Sequence, residues 1–150
     1  MALFGRRTRP DQPGQRPAAG APTAVAGLDD LHDIAARGTA EDVARRVAAG
    51  DDVNARNRVG YTPLGIAASR GDLEVARALL DAGAEVDPVD NTGGTPLAAA
   101  VLNAKGRSDV IELLLARGAD AHRPNQRGQS PLDLAQRTGS ADVVLLFERA

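Results

Sequence analysis

The sequence repeats itself with a period close to 33 residues. Pro63, Pro96 and Pro131 are separated by 33 and 35 residues, and each lies in the same short motif, TPL or SPL. Such a period is typical of repeat architectures, in which a unit too small to fold alone buries its apolar side against its neighbours. We therefore expect a linear stack of units.

One unit can be interpreted residue by residue in the segment 60–87. Thr62 is suited to cap a helix, and the proline after it lies where no amide donor is needed. Gly71 should end this short helix in a left-handed conformation, and Asp72 should cap a second helix that ends near Gly83. Each unit is thus a helix, a turn, a second helix and a hairpin-like loop, and the fold is all-α.

The terminal units should be atypical, because each has only one neighbour. The first has Asp29-Asp30 in place of Thr-Pro, and Arg46 stands where the next two units have leucine. A domain over 28–150 is predicted, with repeats at about 28–60, 61–93, 94–128 and 129–150. In the third unit the turn between the helices is two residues longer than in the second.

Residues 1–27 differ in composition from the rest of the chain. They hold four arginines, one aspartate, four prolines and few large apolar side chains. Such a segment cannot bury enough surface to offset its ordering entropy, so we expect a flexible, solvated, basic tail. Contact of this tail with an anionic membrane or a nucleic acid is the alternative.

The sequence offers little for covalent or metal chemistry. It has no cysteine, and its two histidines, His32 and His122, fall in different repeats without clustered carboxylates. No serine lies in a nucleophile motif, and no glycine-rich stretch has the spacing of a phosphate loop. We expect no catalytic residue, no metal and no cofactor, and therefore no enzyme. Without a signal peptide or an apolar run of 18 residues, the protein is predicted to be cytoplasmic.

Several motifs in phase make the chain resemble the ankyrin-repeat family over about residues 28–150. They are TPL at 62–64 and 95–97, SPL at 130–132, LHDIAARG at 31–38, and the helix-ending AGDDVNA, AGAEVD and RGADAH. The resemblance implies a curved solenoid that binds another macromolecule, usually a protein, through its loop tips and the exposed side of its first helices. The high Ala, Arg and Gly content further suggests a small, free-standing bacterial protein.

The chain departs from the family pattern after Thr-Pro-Leu. The histidine that the family has there, where it reinforces the threonine cap, is replaced by Gly65, Ala98 and Asp133, and only His32 keeps it. The resemblance therefore implies that the caps of the second to fourth units depend on the hydroxyl alone.

Positions not needed for the core or the turns are candidates for partner binding. Val89 and Gly94 belong to these positions in the third unit. The others are Arg37, Arg56, Arg58, Val59, Tyr61, Ser69, Arg70, Asn91, Thr92, Leu102, Gln126, Arg127, Gln129 and Arg137.

This set includes six arginines and no acid, although residues 28–150 carry a net charge of −5. We therefore expect a basic concave side that binds a partner protein with an acidic surface, with Lys105 and Arg107 of the longer turn as an extension. The alternative is that these arginines are merely solvated. An inhibitor or immunity protein that blocks a toxin or enzyme, and a binder of membrane or nucleic acid, are alternative functions.

The last helix raises the question of oligomeric state. In VVLLFE, residues 143–148, Leu145 and Leu146 align with Arg77 and Ala78, which can face outward. We favour at least partial burial of both leucines and a monomer. A weak dimer through Leu145 and Leu146 is the alternative.

Overall fold

The computed structural model describes residues 30–104, 108–138 and 140–150. Within these ranges it contains eight α-helices and no β-strand. The helices are α1 (Leu31–Arg37), α2 (Ala40–Ala48), α3 (Pro63–Arg70), α4 (Leu73–Asp81), α5 (Pro96–Leu102), α6 (Asp109–Ala116), α7 (Pro131–Thr138) and α8 (Ala141–Arg149). The all-α prediction of about four helix-turn-helix units is confirmed.

The helices form two layers. The first helices α1, α3, α5 and α7 pack on one another in chain order, and so do the second helices α2, α4, α6 and α8. Within each unit the first helix also packs on the second. Each interior unit thus buries one side against the unit before it and the other against the unit after it.

The core between the layers combines leucines with small side chains. Leu64 and Leu97, each from a TPL motif, are fully buried, and so are Ala67 of α3 and Ala76 of α4. Alanines at these positions let neighbouring helices approach closely, while the leucines supply most of the buried apolar area.

Hydroxyl groups cap the first helices of the second and third units, as the sequence predicts. Thr62 Oγ1 accepts a hydrogen bond from the Gly65 amide, and Thr95 Oγ1 accepts one from the Ala98 amide, each at 3.3 Å. Gly71 follows α3 with φ +73°, and Asp72 caps α4 by accepting a bond from the Val75 amide at 3.1 Å.

The fourth unit corrects the expectation that its cap depends on a hydroxyl alone. Asp133 accepts hydrogen bonds from both the amide and the hydroxyl of Ser130, each at 2.8 Å, while the Ser130 hydroxyl accepts the Asp133 amide at 3.1 Å. This reciprocal arrangement is a capping box. The residue that replaces histidine therefore restores the second half of the cap.

The first unit contains several polar contacts at the outer end of the described stack. Asp30 caps α1 by accepting the amides of His32 and Asp33. The His32 ring lies between this cap and the second unit, with Nδ1 3.8 Å from Asp30 Oδ1 and Nε2 3.0 Å from the carbonyl oxygen of Tyr61. Arg46, at the position of a core leucine, forms a paired contact with Asp51 at 2.8 and 3.0 Å. These contacts pair the polar side chains at this end of the described stack.

A second capping box begins α2. The Thr39 amide donates to Asp42 at 2.9 Å, and the Asp42 amide donates to the Thr39 hydroxyl at 3.2 Å. Burial of Asp42 acts to raise its pKa, but hydrogen bonds from Thr39 and the Arg45 guanidinium at 2.9 Å outweigh it. The net result is a pKa below the ordinary value of 3.8.

This lowered pKa predicts how stability changes in acid. An unfolded chain binds a proton at Asp42 more readily than the folded one, so the stabilisation is present above pH 3.8 and is lost as the pH falls below it. Urea unfolding from pH 7 downward should show that Asp42→Asn destabilises most at neutral pH and that its difference from the parent shrinks in acid. Thr39→Ala, which removes the hydroxyl but leaves the backbone amide as a donor to Asp42, should cost about 1 kcal/mol at pH 7, and this loss should shrink less in acid than that of Asp42→Asn. A difference that stays constant with pH would contradict this account.

Candidate interaction surface

Each loop between units forms a tip of the same design. The amide of Asn57 donates to the carbonyl of Tyr61, that of Asp90 to Gly94, and that of Asn125 to Gln129, at 2.9 to 3.0 Å. The side-chain Oδ1 of the first residue also accepts two tip amides in each case. Since one side chain satisfies two amides that would otherwise face solvent, each tip is held rigidly without strands.

Adjacent tips are tied to each other. The Asn91 amide donates to Val59 O at 3.2 Å, and its side chain donates to Arg58 O at 3.1 Å. At the next junction, the Gln126 amide donates to Thr92 O at 3.0 Å, and its side chain donates to Asn91 O at 2.9 Å. The three tips thus form one continuous surface.

Six of the fourteen predicted binding residues have side chains engaged within the protein. Asn91 and Gln126 tie tips together, and Arg56 donates to the carbonyl of Val89. Ser69 Oγ accepts a bond from Asn103 at 3.2 Å. The remaining two are Thr92, which bonds Asp90, and Arg37, which lies 3.6 Å from Asp33. For these six, a structural role accounts for the side chain.

Seven of the fourteen are exposed, and their side chains have no hydrogen bond or ion pair within the described ranges. We call these seven residues the tip surface. They are Arg58, Val59, Tyr61, Arg70, Leu102, Arg127 and Arg137. The last of the fourteen, Gln129, is half-buried, as are Val89 and Gly94.

Three members of the tip surface are apolar or aromatic. Val59 is 54% exposed, Tyr61 42% and Leu102 58%, whereas the large apolar side chains of the core are almost fully buried. The rest of the set is arginine. Tyrosine and arginine are the residue types most enriched at interface hot spots, and exposed apolar side chains grouped with them mark interaction sites.

The structure brings part of the predicted set together around a groove of about 560 Å³. Leu102, Arg127 and Arg137 line it, with Thr92, Gln126 and Gln129 between them. Leu134 supplies an apolar floor from α7. Arg58 and Arg56 instead line a separate cavity of about 550 Å³ at the first unit, beside Arg46, Asp51 and Asp52. The predicted residues thus fall in two places along the stack.

Charge is distributed unevenly between the two helix layers. The first helices carry the acids Asp33 and Asp133 and the arginines Arg37, Arg70 and Arg137. The second helices carry twice as many acids as bases. The acids are Glu41, Asp42, Glu74, Asp81, Asp109, Glu112, Asp142 and Glu148, and the bases are Arg45, Arg46, Arg77 and Arg149.

The sequence analysis missed two groups of residues that organise the surface, namely those that shape the tips and one that links two helices. Asn57, Asp90 and Asn125 shape the tips, and their spacing of 33 and 35 residues matches that of the three prolines, so the periodicity could have identified them. Asn103 links the ends of α5 and α3 through Ser69, and nothing in its own unit indicates this.

The part of the chain that the structure describes has no cluster of three or more histidine, aspartate or glutamate side chains arranged to hold a metal ion. None of its helices has the length and apolar character needed to cross a membrane. Residues 1–27, Lys105 and Arg107 were also assigned roles from sequence, and they lie outside the described residues.

The sequence left open how far Leu145 and Leu146 of α8 are exposed. Leu146 is half-buried against the core and Leu145 is 47% exposed, so both agree with the expectation of at least partial burial, and Leu145 is the more exposed of the two. The reason is geometric, because Val143 and Phe147 occupy the inward face of α8 and Leu145 projects from the opposite one.

Comparison with known proteins gives consistent matches. The chain is 45% identical over 83 residues to the ankyrin repeat and KH domain-containing protein mask of Drosophila melanogaster, covering 54% of this chain and 2% of that protein. It is 37% identical over 122 residues to the neurogenic locus Notch protein of the same organism, covering 79% and 4%. To the ankyrin repeat, SAM and basic leucine zipper domain-containing protein 1 of Rhinolophus ferrumequinum it is 39% identical over 99 residues, covering 63% and 20%.

These relatives bear on the family and on little else. The chain spans at most a fifth of their length, so the activities of the whole proteins do not carry over to it. They come from animals and give no support to the bacterial origin that composition suggests. The family model for ankyrin repeats in three copies matches residues 31–125. With two layers of capped helices joined by tied tips, this match shows that the chain belongs to the ankyrin-repeat family, whose fold serves protein–protein interaction.

Proposed function

We propose that this chain is a non-enzymatic interaction module that binds an acidic region of another protein through its tip surface. The proposal rests on one observation: six of the fourteen predicted residues have hydrogen-bond or ion-pair partners within the chain, and seven exposed ones have none within the described ranges. The side chains that remain without partners are three exposed apolar or aromatic groups and four arginines. No described contact within the chain uses them, so they are available to a partner.

A protein partner fits this surface better than a nucleic acid or a membrane. Binding to phosphates would favour a dense basic face, whereas Val59 and Leu102 add exposed apolar side chains to the four arginines. The acid-rich second helices would also repel an anionic polymer or lipid surface. An acidic protein segment with apolar side chains would match both components of the tip surface.

The rigidity of the tips supports affinity. Because the backbone of each tip is held by an asparagine or aspartate side chain and by bonds to the next tip, little conformational entropy is lost when a partner binds. This chain would use the same surface whether it acts as an adaptor or as an inhibitor of its partner. They differ in whether the bound partner keeps its activity, which an assay of the purified complex would decide.

Charge reversal tests the proposal. Arg58→Glu combined with Arg70→Glu should slow association with the partner about tenfold at low salt, because oppositely charged surfaces steer the encounter, and the difference should shrink at high salt. The partner is first obtained by affinity purification and identified, and rates are then measured by surface plasmon resonance at two salt concentrations.

Arg77→Glu is the matched control. Arg77 is an exposed arginine of α4, in the same unit as Arg70 but in the other helix layer. Its reversal should leave the rate close to that of the parent. Equal rates for the parent and the double variant at low salt, or equal slowing by Arg77→Glu, would argue against the tip surface.

A further inference from the structure

The outer face of α8 carries a second candidate surface, away from the tips. Asp142, Leu145, Leu146 and Arg149 are spaced i, i+3, i+4 and i+7, so they form one stripe along the helix. Leu145 is 47% exposed at its centre, Leu146 is half-buried beside it, and the two charged ends are exposed.

The stripe lies next to a groove in the layer of second helices. Leu115, Ala116 and the exposed Glu112 of α6 line this groove of about 470 Å³ together with Leu146 and Arg149. Apolar surface therefore extends from the stripe onto the neighbouring helix. Within the described ranges, neither Asp142 nor Arg149 takes part in an ion pair.

The order of charges along the stripe makes it complementary to itself. Asp142 and Arg149 are equidistant from a point between Leu145 and Leu146. In an antiparallel pair of α8 helices related by a two-fold axis through that point, Asp142 of each copy faces Arg149 of the other, and Leu145 faces Leu146. A parallel arrangement would place like charges opposite each other.

We propose that a second copy of this chain docks on the stripe, giving an antiparallel, two-fold symmetric dimer through α8. Such an isologous contact uses the same patch on both copies and leaves the tip surface of each open. The contact is that of one helix pair, below the roughly 1,200 Å² of stable interfaces, so the dissociation constant should be on the order of 0.1 mM.

A charge exchange between two variants tests this geometry. Asp142→Arg leaves two arginines on the stripe, and Arg149→Asp leaves two aspartates. Each variant alone should dimerise about tenfold more weakly than the parent at low salt. An equimolar mixture should recover the parent's dissociation constant, because every arginine then faces an aspartate on the other chain. Sedimentation velocity from about 10 µM to 1 mM measures all three.

Two further variants keep the test decisive. Glu148→Arg changes charge on the same helix but off the stripe, and it should dimerise like the parent. Leu145→Ser, at an exposed position that folding does not need, should lose association even if a charge variant fails to fold by circular dichroism. A parent that stays monomeric at 1 mM, or folded charge variants whose mixture does not associate, would overturn the proposal.

Discussion

Leu97→Ala is expected to lower the free energy of unfolding by about 3 kcal/mol, one of the two largest effects we predict. Leu97 is fully buried in α5, which packs between α3 and α7, so the cavity left by its side chain has neighbours on both sides that cannot easily collapse. For a chain of this length, such a loss lowers Tm by roughly 10 °C. Urea and thermal unfolding followed by circular dichroism measure both.

Leu132→Ala provides the comparison. Leu132 occupies the same place in its SPL motif but is only half-buried, because α7 has a first helix on one side alone within the described stack. We expect a loss of about 1 kcal/mol, since less apolar area is removed from water at that site. Similar losses for both leucines would show that position in the stack does not govern their contribution.

The fold could be predicted from sequence because most of its signals are local. Proline, glycine and capping residues specify where each helix begins and ends, and these are local effects that one unit contains in full. The regular spacing then indicates how the units stack. Thr62, Thr95, Gly71 and Asp72 all behave as their residue types predict.

The caps of the fourth unit could also have been predicted. Ser130 and Asp133 have the spacing of a capping box, as do Thr39 and Asp42, whereas the family pattern identifies Asp133 only as the replacement of a histidine. A carboxylate at the third helical position can accept the backbone amide of the N-cap residue, as Asp133 does for Ser130. A capping box therefore stands where the family has a cap reinforced by histidine.

The binding surface was harder to predict because some of the candidate side chains form hydrogen bonds to a neighbouring unit and are not free to bind a partner. Asn91 and Gln126 look like exposed tip residues in their own units, yet each reaches a carbonyl in the preceding one. Whether a side chain reaches across depends on the distance between neighbouring units, which the periodicity of the sequence does not give. For the same reason, the sequence could not separate Arg56, which bonds Val89 O, from Arg58, whose side chain has no bond within the described ranges.

The tie between the first two tips leads to the second large effect, which is expected for Gly60→Ala. Gly60 has φ +82°, a conformation that costs a residue with a Cβ about 1–2 kcal/mol. A Cβ there would also lie 2.7 Å from Asn91 Oδ1 and 2.8 Å from Asn91 N. Because that amide is the donor to Val59 O, the tip must shift or the tie must break. We expect a total loss of about 3 kcal/mol in urea unfolding.

The other tips separate the two causes, since they hold glycines in the same conformation with different surroundings. Gly128 has φ +75°, but a Cβ added to it would meet no atom within 4 Å, so Gly128→Ala should show the conformational cost alone, about 1 kcal/mol. Gly93, at φ +78° with Gln126 N at 3.1 Å, should fall between them. Equal losses at all three positions would mean that the ties contribute nothing to stability. If the graded order holds, Gly60→Ala should also weaken partner binding, because Val59 and Tyr61 flank the glycine and the Val59 carbonyl accepts the hydrogen bond that the substitution disturbs.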